Sequence, residues 1–283
     1  MKLSVKEVLV ISRPRFWMYV LGPFLIGMIA AGNPFEYESR TIFFLLSFSV
    51  FFSLPANLLI YGINDIYDYD TDILNDKKFK YEAVLKPEKH KQLWYVISFL
   101  VLCFIPLFFL INTHALLAVV VFVFTGLFYS ALPIRAKTKP PLDVLFSSII
   151  YVSPAVIGYF LTGNFDLQWL AVLGGLIWAF GMQTYSAVPD IDADKKANVA
   201  TLATKLGEKN ALYFCLAAYT VSAIIAYFYV GYIALAFGFV YGIMVILSIV
   251  NSNQVFKYYT YFPLINTVAG ALLFFFLFFK LVL

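Results

Sequence analysis

The stretch Phe51-Phe52-Ser53-Leu54-Pro55-Ala56-Asn57-Leu58-Leu59-Ile60-Tyr61-Gly62-Ile63-Asn64-Asp65-Ile66-Tyr67-Asp68-Tyr69-Asp70-Thr71-Asp72 runs from apolar residues straight into four carboxylates and an amide. The apolar part is long enough for a buried or membrane-crossing helix. Continued as a helix, Asp65, Asp68 and Asp72 fall at i, i+3 and i+7 and share one face, with Asn64 at its edge. Three carboxylates on one face repel each other unless a cation neutralises them. Hard divalent cations such as Mg²⁺ take oxygen ligands and share them with phosphate oxygens. The spacing therefore predicts a magnesium–phosphate site at the mouth of a helix. The competing reading is a solvated acidic helix end, which the helix dipole disfavours. Asp70 points off the shared face.

A second cluster, Asp190-Ile191-Asp192-Ala193-Asp194, also follows an apolar run. Asp190 and Asp194 are i, i+4 on one helical face, and Asp192 points away. The two clusters together are expected to hold two or three Mg²⁺ ions that bind a diphosphate and assist its departure.

Composition sets the class. The chain has 283 residues, 62% hydrophobic and 13% charged, with mean hydropathy +0.85. Soluble domains carry about 25% charged residues. The apolar runs approach twenty residues, the length a helix needs to cross ~30 Å of hydrocarbon. An all-α integral membrane protein is expected, with nine spans in a single bundle. They are Phe16–Ala31, Ile42–Ile63, Leu93–Ile111, Ala115–Leu132, Val144–Leu161, Leu167–Val188, Ala211–Val230, Tyr232–Val250 and Phe262–Leu283. The first lacks a cleavage pattern and reads as a retained helix. Residues 1–283 read as one polytopic domain. Cys103 and Cys215 lie in apolar runs and are expected to be packing residues.

Charge placement gives the orientation. With the N-terminus cytoplasmic, that side collects Lys2, Lys6, Arg13, Arg15, Lys77, Lys78, Lys80, Lys86, Lys89, Lys91, Arg135, Lys137, Lys139, Lys195, Lys196, Lys205, Lys209 and Lys257. Only Arg40 and Lys280 fall opposite. Both acidic clusters land on the cytoplasmic side of a multi-pass cell-membrane protein, and the C-terminus lies across it. The connection Asp65–Lys91 and the connection Asp190–Asn210 are expected to cap the site. Leu202 and Leu206 predict a short amphipathic helix ending at Gly207.

A third polar element, Tyr129-Ser130-Ala131-Leu132-Pro133-Ile134-Arg135-Ala136-Lys137, ends the fourth span on the same side. An arginine and a lysine after a span are ordinary interfacial anchors. Beside two acidic clusters, Arg135 and Lys137 become candidates for binding diphosphate, because guanidinium suits bidentate phosphate contact. Lys77 and Lys78 are further candidates. Asn57, Gln183, Tyr185 and Ser186 are polar groups within spans and, with Tyr129, are candidates for the substrate pocket. There is no glycine-rich phosphate loop, nucleophile elbow or zinc-type cluster. A transporter would also use intramembrane carboxylates, but nearer the bilayer midplane.

These motifs resemble those of the UbiA superfamily of intramembrane prenyltransferases. Its N-D-x-x-D-x-x-x-D motif is matched by Asn64, Asp65, Asp68 and Asp72, and its D-x-x-x-D motif by Asp190 and Asp194. The segment Tyr129–Lys137 resembles the family's basic segment after the fourth helix. Where many members have a glycine four residues after the second motif, this chain has Asn198. The Arg-Pro that often follows the first motif is absent, and Lys86-Pro87 is its nearest analogue. The resemblance implies Mg²⁺-dependent transfer of an isoprenyl group from an allylic diphosphate to a lipophilic acceptor, with the Asn and Asp residues as metal ligands. Ser12-Arg13-Pro14-Arg15-Phe16-Trp17, Gly22-Pro23 and Ser186-Ala187-Val188-Pro189-Asp190 look like the lycopene elongase branch, which implies a carotenoid acceptor. An aromatic acceptor of the quinone-precursor type is the alternative.

Overall fold

The computed structural model describes residues 3–69, 73 and 84–282. Asp70, Asp72, Lys77 and Lys78 lie outside the described residues. The described chain is helical, as the lengths of its apolar runs require. Within a bilayer only internally hydrogen-bonded helices or closed barrels satisfy the backbone. Among the described residues, eight helices are long and apolar enough to cross a membrane. The predicted first span is a bent pair, Val5–Phe16 and Met18–Ala31, meeting at 56°, and as one crossing it brings the number to nine. The bend falls at Trp17, after the 3₁₀ turn Pro14–Phe16 that Pro14 starts. Proline cannot continue the hydrogen-bond ladder of the preceding helix.

Two compact units are distinguishable. The first comprises residues 1–135 and 153–165, with Val282. It contains α1 (Val5–Ile11), α2 (Met18–Ala31), α3 (Ser39–Asn57), a π-helical turn (Leu58–Gly62), α4 (Ile63–Tyr67), α5 (His90–Leu102), α6 (Ile105–Phe108) and α7 (Thr113–Ser130). The C-terminal part of α8 (Leu142–Leu161) completes it. Its interior is aromatic: Phe24, Phe48, Phe51, Phe52 and Phe122 are fully buried. Edge-to-face pairs such as Phe52–Phe122, at 5.3 Å between centroids, lock the rings. Helix α2 meets α8 at backbone distance. A Cβ on Gly27 would lie 1.9 Å from the Ala155 carbonyl oxygen, and one on Gly158 2.3 Å from that of Phe24. Small residues allow this approach between membrane helices.

The second unit comprises residues 136–152 and 166–281, with Leu283. It contains the N-terminal part of α8, α9 (Trp169–Ala187), α10 (Ile191–Lys196), α11 (Leu202–Leu206), α12 (Glu208–Val230), α13 (Tyr232–Val250) and α14 (Val255–Val282). Interhelical hydrogen bonds stitch it together. Ser222 donates to the Gly174 carbonyl at 2.8 Å and Tyr241 to Asn266 Oδ1 at 2.7 Å. Tyr219 stacks on Tyr241 at 4.7 Å between centroids. The expected amphipathic helix before Gly207 is α11, and Gly207 terminates it at φ 74°. Both cysteines are free, Cys103 exposed and Cys215 buried.

The α2–α8 approach is testable. Gly27→Leu forces the two backbones apart and is expected to cost about 1–3 kcal/mol, the usual cost of overpacking. It would be read as a lowered Tm of the detergent-solubilised protein. Gly270→Ala, where no atom lies within 4 Å of the added Cβ, is the control and should not lower it. Equal Tm values for the Gly27→Leu variant and wild type would mean that the crossing has slack.

Candidate active site

The first acidic motif sits at the end of the long helix Ser39–Tyr67. That helix is not regular throughout. Pro55 removes a backbone donor, and two residues on Asn57 donates its side-chain amide to the carbonyls of Phe52 (3.0 Å) and Ser53 (2.6 Å). The π turn Leu58–Gly62 follows. A wider turn changes the register, so Asn57 and Asn64, one heptad apart, do not share a face as an unbroken α-helix would place them. Asn57 is buried and its Oδ1 has no hydrogen-bond partner among the described residues.

The helix Ile63–Tyr67 breaks at Asp68, where the spacing predicts an unbroken helix, and Tyr69 is helical again. Asp68 is its C-cap, at φ −105° and ψ 3°, with its N–H still bonded to Asn64 O at 2.9 Å. Asp65 and Asp68 therefore leave successive positions of a terminating turn. Asp65 is 3% exposed and Asp68 is half-buried. Each carboxylate meets an arginine. Arg13 Nη2 donates to Asp65 Oδ1 at 2.7 Å, and Arg135 Nη2 lies 3.5 Å from Asp68 Oδ1. Arg135 also donates to the Tyr67 carbonyl at 3.2 Å. Both arginines have left-handed backbones, Arg13 at φ 53° and Arg135 at φ 46°. Such conformations are uncommon for non-glycine residues and cluster at functional sites. Arg13 further lies over the Tyr61 ring, 4.7 Å from its centroid. Asn64 donates its amide N–H to Ser130 Oγ at 3.2 Å, which leaves Oδ1 as the amide's acceptor end. Tyr129, beside Ser130 at the end of α7, is half-buried.

In the second unit, α9 ends at Ala187 and passes through the 3₁₀ turn Val188–Asp190 into α10. Asp190 is the N-cap of α10 and Asp194 lies one turn on. Both are half-buried and Asp192 is exposed, as the helical spacing predicts. Asn198 has φ 55°. This explains the tolerance of asparagine where many family members have glycine, since Asn enters the left-handed region more readily than other non-glycine residues. Lys137 stands on the 3₁₀ turn Ala136–Thr138 and is half-buried. Gln183 Oε1 accepts from Ser147 Oγ at 2.6 Å, Tyr185 shares a hydrogen bond with Ser248 Oγ at 2.9 Å, and Ser186 donates to the Gln183 carbonyl. Tyr185 is fully buried and packs edge-on to Phe262.

Among the described residues, no three His, Cys, Asp or Glu side chains gather as a metal cage. The donor set of each motif nonetheless fits a hard cation. It consists of carboxylate oxygens, with the Asn64 amide oxygen in the first motif, and no nitrogen or sulfur.

The sequence reading missed the role of Arg13. It appeared there as one of many cytoplasmic cations. Its left-handed backbone before Pro14 is invisible to charge counting, and its partner is 52 residues away. Arg13→Gln leaves Asp65 buried without its guanidinium. A loss of about 3–5 kcal/mol is expected for breaking such a pair. Adding Asp65→Asn should recover most of the lost Tm. Independent, additive effects of the two substitutions would argue against a coupled pair.

The chain matches the UbiA prenyltransferase family over residues 20–277. It is 34% identical over 268 residues to a lycopene elongase/hydratase of Haloferax volcanii, covering 93% of this chain and 86% of that protein. It is 35% identical over 266 residues to a lycopene elongase/hydratase of Haloarcula japonica, covering 92% and 87%. The fold is similar to that of a UbiA homologue from Archaeoglobus fulgidus solved with GPP and Mg²⁺. The TM-score is 0.69 at 18% identity, over 98% of this chain and 100% of that one. The match over nearly the whole length places this multi-pass membrane protein in the UbiA family as a prenyltransferase.

Proposed function

We propose that the chain is a single catalytic domain that transfers an isoprenyl group from an allylic diphosphate to a carotenoid acceptor within the cell membrane, with Mg²⁺. The observation that carries the acceptor is the likeness to lycopene elongase/hydratases over more than nine-tenths of the chain. The observation that supports the donor is the pairing of Asp65 and Asp68 with Arg13 and Arg135.

The residues fit a division of labour. Asn64, Asp65, Asp68 and Asp72 in one motif, and Asp190 and Asp194 in the other, would hold Mg²⁺ through oxygen. Bound Mg²⁺ would neutralise the diphosphate and assist its departure. Arg135 and Lys137, with Lys77 and Lys78, take phosphate oxygens. The allylic C–O bond breaks and its electron pair leaves with the diphosphate. The π pair of the acceptor alkene forms the new C–C bond, and a proton is then lost. An alkene acceptor needs no residue to deprotonate a phenol. Apolar and aromatic side chains exclude water and stabilise positive charge by their π-faces. The N-terminus and both acidic motifs are on the cytoplasmic side in this reading, where activated diphosphates are found.

The decisive experiment is expression of wild type and Asp68→Asn in a host that makes lycopene and isoprenyl diphosphates. Lycopene extended by C5 units in the wild type alone is the expected result. Unaltered lycopene with both, followed by turnover of a quinone precursor by purified protein with Mg²⁺, would move the assignment to an aromatic acceptor. Asp190→Asn should likewise abolish turnover while the protein still inserts. Full activity in either Asp variant would remove the metal-site reading. Lys137→Ala is expected to raise KM for the diphosphate, and an unchanged KM would return Lys137 to an interfacial anchor.

A further inference from the structure

Asp143 belongs to neither acidic motif. It stands in the first turn of α8, within the second unit, and is 3% exposed. Its Oδ2 accepts the N–H of Leu202 at 2.6 Å, and its buried Oδ1 has no hydrogen-bond partner among the described residues. Lys205, on the same short helix as Leu202, acts on it electrostatically. A buried carboxylate in a membrane-spanning segment is costly and is a functional candidate by default. The carboxylate takes a first-turn donor of α11 that the helix's own capping box leaves open. Helix α11 already has a complete capping box, with Thr201 accepting from the Thr204 N–H and Thr204 accepting from Thr201.

What Asp143 adds is a tether. Leu202 follows the second acidic motif by eight residues. The chain between is compact, with Val199 N–H bonded to the Asp194 carbonyl at 2.8 Å and Asn198 in the left-handed region. One turn further along the same face of α8, Ser147 donates to Gln183 Oε1 at 2.6 Å, seven residues before Asp190. One face of α8 thus grips the chain on both sides of Asp190 and Asp194.

We propose that Asp143, seconded by Ser147, is a positioning residue that sets the placement of Asp190 and Asp194 for the cation–diphosphate pair. This rests on the proposed function. Outer-shell partners of metal ligands commonly govern metal affinity in this way.

The test uses full-length protein in detergent, with two readouts besides turnover. The first is hydrogen exchange at the Leu202 amide. The second is the Mg²⁺ concentration that gives half of the Tm rise in the presence of inorganic diphosphate. Asp143→Leu is expected to lose amide protection and to raise that concentration about tenfold, at the low end for outer-shell substitutions. Asp143→Asn keeps an acceptor oxygen and should stay within about twofold of wild type. Leu202→Pro removes the donor at the first helical position, where proline is tolerated, and should reproduce the Asp143→Leu shift even if that variant does not fold. A wild-type Mg²⁺ response in Asp143→Leu or Leu202→Pro, with Asp190→Asn unresponsive, overturns the tether alone. No Mg²⁺ response in the wild type overturns the metal-site reading and the tether with it.

Discussion

A buried carboxylate beside a hydrocarbon phase has to be neutralised, and the first unit is arranged around doing so for Asp65. Its partner Arg13 follows α1, and Arg13 itself takes a left-handed backbone just before the 3₁₀ turn at Pro14. Tyr61, on the π turn, presents its ring to the same guanidinium. Charge, backbone strain and aromatic stacking thus converge on one contact. Strain of this kind persists only where the surroundings over-determine it. Desolvation makes the pair costly to form, but costlier still to leave half-made.

The same logic recurs at Asp68 with less burial. Arg135 divides its donors between that carboxylate and the Tyr67 carbonyl, one of the groups left open where the helix stops. The terminus and the charge are satisfied together. Such a guanidinium can exchange a carboxylate for a phosphate without changing the character of its bonds, because its planar fork pairs with two anionic oxygens of either group. A lysine there would be a point charge without that directional match.

The sequence made the membrane class, the span positions and both acidic motifs legible, because length, hydropathy and i, i+4 spacing are local properties. The short helix before Gly207 was legible for the same reason, since leucine spacing and a terminal glycine act within a few residues. The register was not. Residues Leu58–Gly62 have the hydropathy of any membrane helix, and nothing in their identities distinguishes a π turn from an α turn. Nor were the pairings. Arg13 with Asp65 and Asp143 with Leu202 span 52 and 59 residues, and each depends on where whole helices pack. Tyr185 shows the converse. Its polarity within a span was legible, but the partner of its hydroxyl, Ser248, is set by how α9 packs on α13.

Helix α1 gives the site's electrostatics a handle at the very beginning of the chain. Ser4 and Glu7 form its capping box, and Glu7 also receives the ammonium of the buried Lys89. The peptide N–H of Leu3 is bonded to Gln92. These ties fix the seven-residue helix that delivers Arg13 to Asp65. Displacing that helix therefore displaces the guanidinium that neutralises a carboxylate of the first motif. Helix α14 is tied in by other contacts, Asn266 to Tyr241 and Phe262 to Tyr185. For purification, immobilisation or labelling of this enzyme, its two ends are therefore not equivalent.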